Sequence, residues 1–213
     1  MTMPPGRRAR KKAATRQKIA DTALRLFLDR GYDAVGIREV AAAADVAVTT
    51  VFSHFASKEA LVFEQDEDFE QRLTQAVSSR TPDEPLIPAL RTEIRALVRH
   101  CTAPGGAPIR RLIDESPALL QYEKSMRLRH AESLATAIAA DLDLPQTTTA
   151  CATIARFVID AHSLAREATD PDAAVDEIFQ MIEAAWEVAR PSRRARGTVP
   201  PGRTEADQAA TSR

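Results

Sequence analysis

The residues best placed for chemistry lie between positions 38 and 58. Thr49, Thr50, Ser53 and His54 gather three hydroxyls and an imidazole on one short segment, beside Val48 and Phe52, with Arg38 and Lys58 on its flanks. Hydroxyls, methyls and an imidazole suit hydrogen bonds and apolar contacts to base edges, and Arg and Lys suit phosphate. The segment itself has no Arg, Lys, Asn or Gln, the side chains whose bidentate base contacts discriminate by about 1–3 kcal/mol each. If this segment reads base edges, its specificity has to lean on Thr49, Thr50, His54, Arg38 and DNA shape. Upstream, Arg7, Arg8, Arg10, Lys11 and Lys12 form a basic run. Residues 1–12 are expected to be a disordered basic arm that follows phosphate or enters a minor groove.

Other constellations give less. Glu64, Asp66, Glu67, Asp68 and Glu70 are dense in carboxylates, but neighbouring acids on one helix point in different directions and suit a solvated face. His100 beside Cys101 fails as a chelating pair for the same reason, and His130, Cys151 and His162 lack the i, i+4 ligand spacing. No metal and no cofactor are expected. Ser116, His130 and Asp160 have the residue types of a hydrolytic triad, but no nucleophile elbow surrounds Ser116. A helix cap ahead of Pro117 accounts for that serine, and no enzyme is expected.

The elements that must position the polar segment follow from spacing and breakers. Ile19, Ala23, Leu26, Phe27 and Arg30 repeat every three to four residues, which predicts an amphipathic helix from about Lys12 to Arg30 with Gly31 past its end. Short helices are expected over 37–44 and 48–55 with a turn at Asp45-Val46-Ala47, and a fourth from Lys58 to about Ser79 capped by Ser57. Ile37, Val40, Val46, Val51 and Phe55 are the expected core. Two short helices joined by a tight turn make a helix-turn-helix, whose second helix enters a major groove. Further helices are expected over 85–101, 109–114, from Pro117 to about Leu142, over 145–168, and from Pro171 to before Pro191. Ala103 to Pro108 reads as a loop. No period-2 run is present, so the fold class is all-α: an N-terminal helix-turn-helix domain (13–58), an effector-binding and dimerisation domain (59–190), and a disordered tail (191–213).

Charge follows the same division. The 213 residues carry a net charge of −1. Residues 1–58 hold 11 Lys and Arg against 5 Asp and Glu, a balance of +6, whereas residues 59–190 hold 13 against 23, a balance of −10. A basic reader joined to an acidic body is what the near-neutral total conceals. Two cysteines are too few for a disulfide framework, no apolar run reaches the roughly 18 residues of a membrane helix, and no secretory h-region follows the basic start. A reduced, cytoplasmic protein with no membrane partner is expected.

The run RGYDAVGIREVAAAADVAVTTVFSHFASKEALV resembles the DNA-binding domain of the tetracycline-repressor (TetR) family, over roughly Arg16 to Phe63. Phe63 to Asp68 and the later Glu115-Ser116-Pro117 are similar to a subgroup of these regulators, some of whose members bind acyl-CoA-like effectors. The resemblance implies a homodimer that binds a palindromic operator in double-stranded DNA, most simply a repressor released by an unidentified small-molecule effector, apolar or acyl-CoA-like. An activator or ligand-independent regulator on the same fold is the alternative. A helical small-molecule carrier or enzyme is the alternative of a different class. Carried over by position, Arg38, Val48, Thr49, Thr50, Ser53 and His54 face DNA, Phe52 stands where tyrosine is usual, and Lys58 is a phosphate anchor. Ala47 replaces a capping serine, and Asp45 replaces a glycine in the turn. Ile154, Phe157, Val158, Ala161, Leu164 and Ala165, with Val175, Ile178, Phe179, Ile182, Ala185 and Trp186, form two stripes expected to face a second copy. Leu97, Cys101, Leu112, Leu119, Tyr122, Met126 and Phe157 are candidates for an apolar effector pocket or for plain core. Arg110 and Arg111 meet an anionic group or open a helix.

Overall fold

The computed structural model describes residues 6–64, 66–81, 83–102, 106–144 and 146–189. The expected tail, 191–213, and the first five residues of the expected arm lie outside them. The described residues form nine α-helices and no strand: α1 (Arg7–Arg30), α2 (Ile37–Ala43), α3 (Val48–His54), α4 (Asp66–Ser78), α5 (Leu86–Cys101), α6 (Gly106–Asp114), α7 (Pro117–Asp141), α8 (Thr149–Glu167) and α9 (Pro171–Ala189), with a 3-10 turn at Glu59–Leu61 between α3 and α4.

Local chemistry sets most of the boundaries. Gly31 (φ 85°) ends α1, its N–H donating to the Phe27 carbonyl at 2.8 Å. Asp45 takes the left-handed conformation (φ 54°) that its short polar side chain tolerates. There the Val46 N–H reaches Ala41 O at 3.0 Å and the Asp45 N–H reaches Ala42 O at 3.1 Å, the paired bonds of a Schellman ending. Ser116 accepts from the Leu119 N–H ahead of Pro117, as a cap should.

Four boundaries differ from expectation. Helix α1 begins at Arg7, not Lys12, because Arg, Lys and Ala are strong helix formers and no breaker follows Gly6. Arg7, Arg8, Arg10, Lys11 and Lys12 are thus a helical extension and not an arm. No continuous helix runs on from Lys58. The chain makes the 3-10 turn there, burying Leu61 against α1, and α4 starts at Asp66. Helix α6 takes in Gly106 to Pro108. Helix α8 opens at Thr149 with Thr148 as its cap, accepting from the Cys151 N–H at 3.3 Å.

Two apolar cores form. In the first, Ile19, Ala23 and Phe27 of α1 meet Val35, Val40, Val51, Phe55 and Leu61, with Ile37 and Val46 partly buried against them. It also takes Leu112 and Ile113 of α6 and Leu119 of α7. The second core lies among α4, α5, α7, α8 and α9. The expected dimer stripes are consumed here. Ile154, Val158, Ala161 and Ala165 of α8 and Val175, Phe179, Ile182 and Trp186 of α9 are buried inside the single chain, and Ile178 and Ala185 pack against them. Stripes of this spacing report burial without saying against what, and five packed helices supply the partners within one chain. Phe157 and Leu164 stay exposed.

The buried Glu123 carboxylate ties α7 to both neighbours, accepting from Arg110 of α6 at 2.9 Å and from Arg166 of α8 at 2.8 Å. Burial opposes its charge, but the two guanidiniums hold it below the usual carboxylate range. His162 lies deep in the body, edge-on to Phe69 at 4.9 Å and 3.7 Å from Cys101 Sγ. Burial, reinforced by Arg166, lowers its pKa from 6.5 to about 4. The unfolded chain therefore takes up this proton first as pH falls. Stability conferred by the neutral imidazole is intact above pH 6.5 and is lost between there and about pH 4, by about 3 kcal/mol in all. Urea unfolding at pH 7.5 and pH 5 is expected to show the loss, and His162→Leu to remove its contribution. A β-carbon at Gly106 would strike the Cys101 carbonyl, so Gly106→Ala is expected to lower the melting temperature, by about 2–4 °C per kcal/mol lost.

Candidate nucleic-acid interface

Helices α2 and α3 are held by packing, which leaves α3 with one buried and one open face. Val51 is buried and Val48 partly so, against the first core. Thr49, Phe52 and Ser53 are exposed, and Thr50 and His54 are half-buried. Val48 is thus more a packing residue than a groove-facing one. Phe52 keeps 54% of its surface open; without a hydroxyl it offers only apolar contact, such as to a thymine methyl. The Ser53 hydroxyl donates to the Thr50 carbonyl at 2.7 Å and retains its lone pairs for a donor. Ala47 supplies no side-chain cap to α3.

Helix α2 presents Arg38 to solvent. The Gly36 N–H donates to the Glu39 carboxylate at 2.8 Å, which also pairs with Arg30 at 2.9 Å. These two bonds, the backbone one first, hold Glu39 below the usual carboxylate range. The acid nearest Arg38 in sequence is therefore engaged elsewhere.

The basic extension of α1 belongs to the same surface. Arg8 and Lys12 are four residues apart, so they share a helix face with Arg16. Burial comes first in lowering the His54 pKa, and the Lys12 and Arg16 charges come next. Arg7, Arg8, Arg10, Lys11, Lys12 and Arg38 are exposed, and none forms an ion pair among the described residues. Many of the body's arginines are paired: Arg72 with Glu93, Arg80 with Asp141, Arg95 with Asp176, Arg99 with Asp172 and Arg127 with Asp160. Arg8, Lys12 and Arg38 thus add exposed positive charge to the α1–α3 unit.

Lys58 is not an open anchor. Its Nζ donates to the Tyr32 carbonyl at 2.6 Å and lies 4.0 Å from the Tyr32 ring centroid. Burial lowers its pKa, against the pull of Asp33 and Glu59. The Tyr32 hydroxyl donates to Glu59 at 2.7 Å, and burial together with that bond drives the phenol pKa up. Lys58 therefore staples the turn after α1 to the 3-10 turn. Sequence reasoning missed Tyr32 and Glu59 in this staple. It also missed Arg16, whose guanidinium stacks on Phe55 with 4.3 Å to the ring centroid and donates to the His54 carbonyl.

The seven candidate pocket residues are divided between the two cores and the surface. Leu112 and Leu119 belong to the first core and Leu97 to the second. Tyr122 stacks on Phe63 at 5.4 Å, Met126 is half-buried, and Cys101 and Phe157 are exposed. Apolar type had nominated them, and apolar type is equally what two separate cores require. Arg110 is bound to Glu123 and Asp114. An open groove of about 380 Å³ lies instead between α7 and α8, lined by Leu120, Lys124, Arg127, Leu128 and Arg156 among others. No cluster of metal-ligating side chains occurs among the described residues, and no described helix is long and apolar enough to cross a membrane.

Known proteins share this arrangement. The family described as "Bacterial regulatory proteins, tetR family" matches residues 19–64, the span from the buried second half of α1 past the Glu59–Leu61 turn. The transcriptional regulator TcmR of Streptomyces glaucescens is 32% identical over 151 residues, covering 65% of this chain and 67% of that one. The transcriptional repressor Rv3405c of Mycobacterium tuberculosis is 29% identical over 143 residues, covering 65% and 75%. Among solved structures, the TetR-family repressor AlkX of Dietzia sp. superposes with a TM-score of 0.56 at 22% identity, over 81% of this chain and 97% of that one. A TetR-family regulator of Streptomyces coelicolor gives 0.55 at 22%, over 84% and 99%. These structures share the fold over the body as well as the reader, and each of these relatives is named as a regulator. The chain belongs to the TetR family of bacterial transcriptional regulators.

Proposed function

We propose that this regulator is a repressor that binds a palindromic operator as a homodimer and leaves it when a small molecule occupies the body. One observation carries the DNA-binding part: an α3 face of Thr49, Thr50, Phe52, Ser53 and His54, on a unit that also exposes Arg8, Lys12 and Arg38, none of them in an ion pair among the described residues. Cations supply affinity through counterion release, and the thinly polar α3 supplies discrimination. Repression is supported by the names of Rv3405c and AlkX.

The dimer reading moves to the surface that the body core leaves over. Phe157 and Leu164 of α8 and Met181 and Val188 of α9 are large, apolar and exposed, each pair seven residues apart and so on one face of its helix. Two such helices pack against their symmetry mates as a four-helix bundle. Two readers on a two-fold axis then require half-sites about 34 Å apart or a multiple. The effector is apolar or acyl-CoA-like and binds the body, whose apolar core contains His130, His162 and Ser163 as buried polar groups. It acts by favouring a dimer whose readers are badly spaced.

Selection of duplexes from a random pool by the full-length chain yields the operator, and a gel-shift salt titration then tests the electrostatics. Log affinity should fall steeply with log salt. Arg8→Gln and Lys12→Gln should each reduce the slope by about one, whereas Thr50→Ala should alter preference at particular base pairs. A flat slope refutes phosphate anchoring. Lys58→Met is expected to act differently, lowering the melting temperature by about 2–4 °C per kcal/mol lost. Leu164→Glu combined with Met181→Glu should sediment as a helical monomer. Deleting the gene should raise expression from a reporter fused to the operator; a fall would identify an activator.

A further inference from the structure

Arg16 is the side chain at which three parts of the protein meet. It lies in α1 four residues, about one turn, after Lys12, half-buried, and its guanidinium lies over the Phe55 ring, 4.3 Å from the centroid. Nη1 donates to the His54 carbonyl, at the last residue of α3. Nη2 donates to the Glu64 carbonyl at 3.3 Å, and Nε lies 3.8 Å from the Glu64 carboxylate. Glu64 belongs to the short connection between the 3-10 turn and α4, and α4 packs on α5 and α7 in the body.

Helix α3 needs such a contact. It has seven residues, no side-chain cap at its N-terminus, and only Val51 fully buried. Its last carbonyls lack helical partners, and a cation there also meets the negative end of the helix. Phe55 takes one of them, its N–H donating to Val51 O at 2.9 Å, and Arg16 takes another. A planar guanidinium can stack on a ring while two of its nitrogens face two separate carbonyls. An ammonium is a point charge with no planar face to lay on the ring while it donates, so it does not reproduce this fork.

We propose that Arg16 is a positioning residue for DNA reading: it fixes the C-terminal end of α3, where Ser53 and His54 lie, against α1 and against the Glu64 segment that leads into the body. Its reach from His54 to Glu64 makes the placement of those two residues depend on where the body holds α4. Arg16 touches no base in this role. The proposal deepens the DNA-binding reading above and rests on it for its consequence.

Two variants of the full-length chain, Arg16→Met and Arg16→Lys, test it with and without DNA. Without DNA, amide hydrogen exchange at Phe55 and along α3 should quicken in both variants while α1 and α7 keep native protection; unchanged exchange in α3 overturns the proposal. With DNA, Arg16→Lys retains the charge, so its affinity for random duplex should stay within about twofold of native, while its preference for the selected operator over random duplex should fall about tenfold. The lost preference should concentrate at the base pairs that Ser53→Ala and His54→Ala also affect. Native discrimination by Arg16→Lys, or an equal fall on operator and random duplex, overturns the proposal. Should Arg16→Met not fold, Arg16→Lys decides alone. If the native chain selects no duplex, the DNA-binding reading fails, and the exchange measurement still decides whether Arg16 fixes α3.

Discussion

Three helices of this length bury too little apolar surface to hold a fixed geometry by themselves. The first core is completed from outside the helix-turn-helix: Leu61 follows it directly, and Leu112, Ile113 and Leu119 arrive from α6 and α7. This shared core is the constraint on which the rest depends. It forces the chain to turn sharply after Lys58 so that Leu61 points inward, which is why α4 starts late. It also makes α6 part of the reader's packing while Arg110, on the same helix, bonds to Glu123 in the body. Reader and body are therefore joined through side chains of different chemistry, apolar on one side of α6 and ionic on the other.

The ionic side is constrained as well. Glu123 is buried, and removing either arginine leaves the carboxylate with half its compensation, so a displacement of α8 relative to α6 is opposed by a charge that cannot easily be left alone. Elsewhere in the body, arginines meet acids at distances of 2.6–3.0 Å across helix pairs such as Arg72–Glu93 and Arg99–Asp172. The acidic balance of the body thus remains after its cations are neutralised, and it repels the phosphate backbone that the reader attracts.

Much of this was legible in the sequence, and the illegible part has physical reasons. Gly31, the tolerance of Asp45 for positive φ, and the Ser116-Pro117 start are each determined by one or two residues, so local reasoning reached them. The helical class and the helix-turn-helix followed from spacing. The beginning of α1 was missed because a basic, polar stretch reads as solvated whether or not it is helical. The stripes on α8 and α9, expected to face a second copy, are buried within one chain; their spacing marks a buried face, but the partner is a property of the tertiary arrangement, which one sequence does not display. Lys58 carried a positive charge that looked available until Tyr32, far away in sequence, proved to hold it. Arg16 left no signal, because its three contacts lie 38 to 48 residues away.

The early start of α1 has a thermodynamic consequence. An arm that coils freely must give up backbone freedom when it settles on a duplex, at roughly 1–2 kcal/mol per residue. Arg8, Arg10, Lys11 and Lys12 are already on a helix, so that entropy is surrendered during folding and not at the moment of association. The positive end of the helix dipole coincides with these side chains. Release of counterions condensed on a duplex would then be accompanied by little loss of chain disorder in this segment.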